Sequence, residues 1–453
     1  MADMMRILFC CEHYSPSVGG IQEVMRQIAE RLVSRGHEVT VATSRLPDRS
    51  CWTMNGVVIK DFPISGNCVK GMQGDVVAYQ QWVLSGAFDV IMINMAQQWT
   101  LDALIPVLKD IRCRKILIPC GFSCLHEPSY AEYYRFMPDV LGQFDHLIFH
   151  ASDYRDIHFA KQYGMNRLSI IPNGACENEF SVSQDQTFRK KLGILEDELL
   201  FLTVGAFTAD KGFTDLLKSY LNADFGRQLS VVLLNSHAYI AETNLQAPAV
   251  QLNAPEAHAT RVKDSSSAER DSEGNRLYGF TKIPRRLARW FYNYNEAVTP
   301  LPFREEMMCL IERIHQENSR KRVILVDLPR PQLVQAYMHA DLFVFASRIE
   351  YSPLVLFESI AAGTPFLSSH VGNANEVAQW TGAGVIAPSI IDGKGHTRID
   401  EIGFARCWEQ LAHDRARLCE FGRTGKRNWA AKFTWDKLAQ EYEELFRHLA
   451  VPA

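Results

Sequence analysis

The chain has 453 residues, long for one domain and comfortable for two that each bury a core. Its 48 Lys and Arg against 52 Asp and Glu leave a formal net charge of −4, so there is no global basic field of the kind that draws nucleic acid. The start lacks the segments of a signal peptide and no apolar run reaches the about 20 residues of a membrane span, so a cytoplasmic protein is expected.

Residues 6–11 read as a strand. Ile21, Val24, Met25, Ile28, Ala29, Leu32 and Val33 then mark one face of a helix that Gly36 can stop, and 38–42 is the next strand. The first loop of this β-α-β unit ends in Gly19-Gly20, where a phosphate or sugar can approach without meeting a Cβ while helix N–H groups point at it. A lone Gly-Gly pair equally describes a tight turn, and it is not the Gly-x-Gly-x-x-Gly of a nicotinamide-dependent dehydrogenase. Further strands are predicted at 57–61, 90–94, 115–119, 146–150 and 168–171, and strands alternating with helices imply a parallel sheet covered on both faces. The segment after 115–119 holds Cys120 and His126, then Tyr130, Tyr133, Tyr134 and Phe136, aromatics that suit either cradling a sugar or filling a core. The 11 cysteines include no Cys-x-x-Cys pair, which fits reduced thiols rather than a disulfide framework or a zinc site.

After Pro172-Asn173-Gly174 the chain turns polar, and the domain boundary is placed near residue 180. A strand at 199–204 opens a second α/β unit whose loop, Gly205 to Gly212, contains Lys211 and precedes a helix over 213–221. Strands at 230–234, 323–326, 342–345, 365–368 and 385–387 continue a second doubly wound domain. Between them, 241–275 is polar with little periodicity, an exposed excursion. Residues 282–292 interleave Lys282, Arg285, Arg286 and Arg289 with Ile283, Leu287, Trp290, Phe291 and Tyr292, a composition that suits an anionic membrane surface or a packed insert.

The most informative pair is Glu350 and Glu358. The apolar run 342–346 reads as a buried parallel strand, and Leu354, Phe357 and Ala361 share one face of the helix after Pro353. Glu350 therefore lies in a strand-to-helix loop that opens into the crevice where α/β proteins bind ligands, and the free N–H groups of Leu354 and Val355 suit a diphosphate. Spacing alone also allows two solvated glutamates.

With the Gly363-Thr364-Pro365 that follows, this stretch resembles the family 4 retaining glycosyltransferases of the GT-B fold, whose second domain carries two glutamates with seven residues between them. Other stretches match in the same order: Gly19-Gly20, the Gly36 to Val41 strand, Ile171 to Gly174, Val204-Gly205 with Lys211-Gly212, Ala340-Asp341 and Phe433-Thr434-Trp435. Only about residues 236–320 lack a counterpart. The resemblance implies an α/β fold of two Rossmann-like domains facing a central cleft. Residues 1–180 would bind the acceptor and 181–430 the nucleotide sugar, with an insert at 236–320, and 431–453 would form a helix packed back on the first domain.

It further implies a nucleoside diphosphate sugar as co-substrate, with no other cofactor. Glu350, Lys211 and His126 are the expected catalytic residues. Gly19, Gly20, Lys211, Arg348, Leu354, Val355 and Glu358 are expected at the donor, Glu358 at its ribose, and His126, Tyr130 and Tyr133 at a glycan or lipid-linked acceptor in polysaccharide or glycolipid assembly. No Asp-x-Asp occurs, so Lys211 and helix N-termini are expected to neutralise the leaving group in place of a metal. Peripheral contact with the inner face of the membrane is assigned to 282–292, and no nucleic acid is expected. Two stretches depart from the family. Ala206 stands where an arginine is common, which leaves either Lys211 alone or an arginine from elsewhere, such as Arg348, to supply the charge, and which suggests as a competing class a degenerate GT-B protein that binds without transfer. Tyr351-Ser352-Pro353 replaces a glycine-containing stretch, giving a stiffer loop whose proline suits a first helical turn. His126 is the nearest candidate for an expected acceptor-side histidine, unless Cys120 occupies that position itself.

Overall fold

The computed structural model describes residues 4–236, 301–393 and 395–450; the excursion at 241–275 and the basic segment 282–292 lie outside them. In the first domain the strands are β1 (Arg6–Cys10), β2 (Glu38–Ser44), β3 (Thr53–Met54), β4 (Val57–Phe62), β5 (Ser65–Asn67), β6 (Gly71–Gln73), β7 (Val90–Asn94), β8 (Arg114–Ile118), β9 (His146–Phe149) and β10 (Leu168–Ile170). Eight of them form one sheet in the order β10-β9-β8-β7-β1-β2-β4-β3, parallel throughout except for the short β3. The second domain contributes β11 (Leu199–Val204), β12 (Ser230–Asn235), β13 (Lys321–Val326), β14 (Leu342–Phe345), β15 (Phe366–Ser368) and β16 (Gly384–Ile386). These form an all-parallel sheet in the order β13-β12-β11-β14-β15-β16. A hairpin, β17 (Ser389–Ile391) and β18 (Thr397–Ile399), follows.

The continuous apolar runs explain these sheets. Val90–Asn94 and Leu342–Phe345 are buried at every residue, as strands covered by helices on both faces must be. In both sheets the chain winds one way from its first strand and then crosses to the other side, between β1 and β7 in one and between β11 and β14 in the other. The connecting loops part at those points and leave a crevice at the carboxyl ends of the strands. Lys211 follows β11 and Glu350 follows β14, so the two residues straddle the second crossing.

One feature was drawn differently from the sequence. The helix Leu301–Glu317 lies within the expected insert, yet its Phe303, Met307, Leu310, Ile311 and Ile314 are buried in the second core, and it is the ordinary crossover into β13. The regular fold therefore resumes well before residue 320. At the other end, Trp435, Leu438, Tyr442 and Phe446 of the helix Trp435–Ala450 join the core of the first sheet, with Phe446 edge-on to Phe9 at 6.4 Å. Each such buried side chain contributes about 1.5–3 kcal/mol by burial, enough to hold the helix there. Arg35 and His37 fasten its outer face through Asp436 and Glu443. Among the described residues no helix is long and apolar enough to cross a membrane.

Candidate active site

The loop between β11 and the helix Phe213–Asn222 is drawn against the loop after β14. Gly212 adopts φ 65°, and a Cβ there would fall 1.9 Å from the carbonyl oxygen of Ala346, so only glycine permits this approach. The Arg348 N–H donates to the Asp210 carbonyl at 2.7 Å, closing the loops together. Lys211 is thereby delivered to Glu350: its Nζ lies 2.6 Å from Glu350 Oε1, which also accepts from Ser347 Oγ at 2.8 Å. Both side chains are only partly exposed, so the pair is a charge-assisted bond in a partly dried cleft.

Leu354 and Val355 open the helix Leu354–Ala362, with Pro353 at its N-cap. This helix start faces the start of helix Gly20–Ser34 in the first domain: a Cβ on Gly20 would lie 3.9 Å from Leu354 Cδ1. Gly19 is extended at φ 174°, a conformation open to any residue. Two sets of helix N–H groups thus meet across the crevice beside the Lys211–Glu350 pair.

Glu358 is buried on the same helix, but it is not waiting alone. Arg330, at the start of the helix after β13, reaches Glu358 Oε1 at 2.6 Å and forks onto Glu179 at 3.0 and 2.7 Å. Burial opposes the guanidinium charge, and the two carboxylates more than offset it and raise its pKa. Arg348 is also engaged. It makes a two-point bond to Asp215 at 3.0 and 2.8 Å, which raises its pKa, so its charge is committed to a structural pair and is not a free substitute for the arginine missing at Ala206.

On the acceptor side the expected residues separate. His126 is exposed on the loop after β8. Cys120 follows just after β8, half-buried, its thiol pushed up to about 12 by desolvation and the nearby Asp156. Tyr130 and Tyr133 are corrected to core residues. Tyr133 is 2% exposed, donates to Asp102 at 2.7 Å and accepts from the Gln97 N–H; Tyr130 is 5% exposed and accepts from Asn67 Nδ2. Their hydroxyls brace neighbouring loops, and their rings pack edge-on to each other at 6.0 Å.

The sequence did not single out the contacts between the domains. The loop from β9 into helix Arg155–Gln162 grips the second domain. Glu376 accepts from the Ser152 and Asp153 N–H groups at 2.8 and 2.9 Å, and the Asn373 amide donates to the His150 carbonyl at 2.9 Å. The Tyr154 hydroxyl donates to the Glu350 carbonyl at 2.6 Å. A cavity of about 290 Å³ opens here, lined by Tyr154, His158, Ile349, Glu350, His370 and Thr397 among others.

His150, within this interface, is 4% exposed with Nδ1 2.7 Å from the Ile171 carbonyl; a carbonyl only accepts, so Nδ1 carries the proton. Burial lowers its pKa to about 4. Because the folded value lies below the ordinary 6.5, the stability it contributes is present above that pH and is lost as pH falls toward 4, by at most about 1.4 kcal/mol per unit. Asp156, whose pKa burial raises to about 6, acts with the opposite sign over the same window, so the His150 contribution is read as a difference between variants. In His150→Asn, which keeps a donor to Ile171, the thermal midpoint should fall less on acidification than in wild type; an identical pH dependence would remove His150 as a cause.

Residues 19–174 match the glycosyl transferase 4-like domain family and residues 305–392 the family of glycosyl transferases group 1. The chain is 28% identical over 150 residues to a D-inositol 3-phosphate glycosyltransferase of Corynebacterium urealyticum, a match covering 32% of each chain. It spans about a third of the length of the curated relatives it matches. Two solved structures extend the likeness over nearly the whole length. Sucrose-phosphate synthase of Thermosynechococcus elongatus is 16% identical with a TM-score of 0.66, covering 98% of this chain and 99% of that one. HepE of Anabaena, solved in complex with UDP and glucose, is 14% identical with a TM-score of 0.63, covering 98% and 100%. The chain belongs to the family 4 glycosyltransferases of the GT-B fold.

Proposed function

We propose that the chain transfers a sugar from a nucleoside diphosphate sugar to an acceptor hydroxyl, with retention of anomeric configuration and without a metal. The observation that carries this is the Lys211–Glu350 pair at 2.6 Å, set at the strand crossing beside the N-terminus of the helix Leu354–Ala362. As the glycosidic bond breaks, charge grows on the diphosphate. Lys211 and the free N–H groups of Leu354 and Val355 are suited to meet it there. When Lys211 turns to the phosphate, Glu350 is released to hydrogen-bond the sugar. In the front-face course expected for this family, the departing phosphate takes the acceptor proton, so the chain need supply no separate base. UDP-sugars are the first donors to test, since HepE was solved with UDP-glucose.

For the acceptor we favour a glycan or lipid-linked sugar in polysaccharide or glycolipid assembly. The likeness to WaaG, a glycosyltransferase involved in lipopolysaccharide biosynthesis, supports this, as does the basic and aromatic composition of 282–292, which suits peripheral membrane contact. One observation favours the competing class of a binding protein: with Ala206 in the arginine position and Arg348 held by Asp215, few cations among the described residues face the leaving group.

The test is turnover of a nucleoside diphosphate sugar panel in excess EDTA, with the product's anomeric configuration read by NMR. Full activity and a product of the donor's configuration are expected. Activity that vanishes in EDTA and returns with manganese or magnesium contradicts metal independence, and an inverted product contradicts retention.

A further inference from the structure

Tyr351 stands directly after Glu350, where glycine is common in the family, and it is driven into the first domain. Its hydroxyl accepts from the His150 N–H at 2.9 Å and hydrogen-bonds the Asp156 carboxylate. Its ring lies 5.1 Å from that of Tyr154 and covers Gly121 so closely that a Cβ there would meet it at 3.0 Å.

Asp156 is fully buried, and burial pushes its pKa up to about 6. The same carboxylate accepts from the Gly121 N–H at 2.8 Å and from the Ile157 N–H at 2.9 Å. Gly121 belongs to a turn in which Cys120, Gly121 and Phe122 all take positive φ, at 61°, 86° and 48°. Non-glycine residues persist in that region only where the surroundings fix them. The turn opens the loop that carries His126, on the acceptor side of the cleft. One buried carboxylate therefore joins the segment bearing the donor glutamate to the turn bearing the acceptor loop. The Tyr154 hydroxyl completes the grip by holding the Glu350 carbonyl.

We propose that Tyr351, acting through Asp156, is a positioning residue that sets Glu350 and the donor sugar in register with the acceptor loop. This rests on the glycosyl-transfer reading above. A misplacement of about 1 Å at reacting groups costs on the order of 100-fold in rate, so a pin joining the two loops is felt in turnover more than in donor binding.

The test uses Tyr351→Phe, which keeps the ring and removes only the hydroxyl, together with Asp156→Asn and the double variant. For Tyr351→Phe, kcat for transfer should fall about tenfold or more. Nucleoside diphosphate affinity should stay within about twofold, and donor hydrolysis should rise relative to transfer. Because both groups act as one pin, the double variant should be no slower than the slower single variant. Wild-type transfer by Tyr351→Phe overturns the proposal, as do effects that multiply in the double variant. A parallel loss of nucleotide affinity and turnover would show a structural role only, and also overturns it. A wild-type protein that turns over no donor rejects the functional reading itself, which is a separate result from an active wild type with an unaffected Tyr351→Phe.

Discussion

Lys211→Ala should lower turnover by about 100-fold, the cost of removing one preorganised donor from a developing anion. The geometry leaves little to replace it. Arg348 is bound at two points by Asp215, Arg330 is shared between Glu358 and Glu179, and residue 206 is alanine. Among the described residues, what remains is the set of N–H groups at the start of helix Leu354–Ala362, whose partial charge amounts to about half a unit. The fold should survive, because Lys211 is partly exposed and such pairs contribute little stability, and Glu350 keeps its bond from Ser347. Steady-state kinetics check this. Near-normal kcat would mean that another group carries the leaving charge.

Glu358 and Glu350 should fail in different ways. Glu358→Ala is expected to weaken nucleoside diphosphate binding by about 1.5–3 kcal/mol, the range for hydrogen bonds to a charged group, or roughly 10- to 100-fold in Kd. The pairing with Arg330 makes this effect specific. Once Glu358 is gone, Arg330 keeps its fork on Glu179, so the segment stays anchored while the ribose acceptor is lost. Glu350→Ala should instead reduce kcat with little change in nucleoside diphosphate affinity, because its carboxylate lies with Lys211 at the sugar end. Calorimetric titration of both variants with nucleoside diphosphate, beside their turnover, separates the two roles. Equal and small effects would leave the motif as an ordinary helix start.

Strands and the glutamate loop were legible because both rest on local pattern. Apolar runs located the parallel sheet strands to within a residue or two, and Pro353 with the apolar spacing behind it located the helix that follows Glu350. The helix Leu301–Glu317 was equally legible in principle: Phe303, Met307, Leu310, Ile311 and Ile314 keep helical spacing, obscured by the polar stretch before them. Tyr130 and Tyr133 were ambiguous for a physical reason, since rings that line a sugar site and rings that fill a core show the same periodicity. Only burial and the partners of their hydroxyls distinguish the two. The pairings of Arg330 with Glu179, Arg348 with Asp215 and Tyr351 with Asp156 span more than 130 residues each. No local pattern carries such contacts. The one available signal was Tyr351 itself, a large side chain where the family commonly has none.

Release of nucleoside diphosphate from a panel of donor sugars by the purified wild-type chain, followed with and without acceptor glycans, tests the central claim most directly. The Lys211–Glu350 pair predicts release from at least one donor, accelerated by an acceptor and slowed about 100-fold in Lys211→Ala. Tight nucleotide binding with no release from any donor would contradict transfer and leave a GT-B protein that binds without turnover.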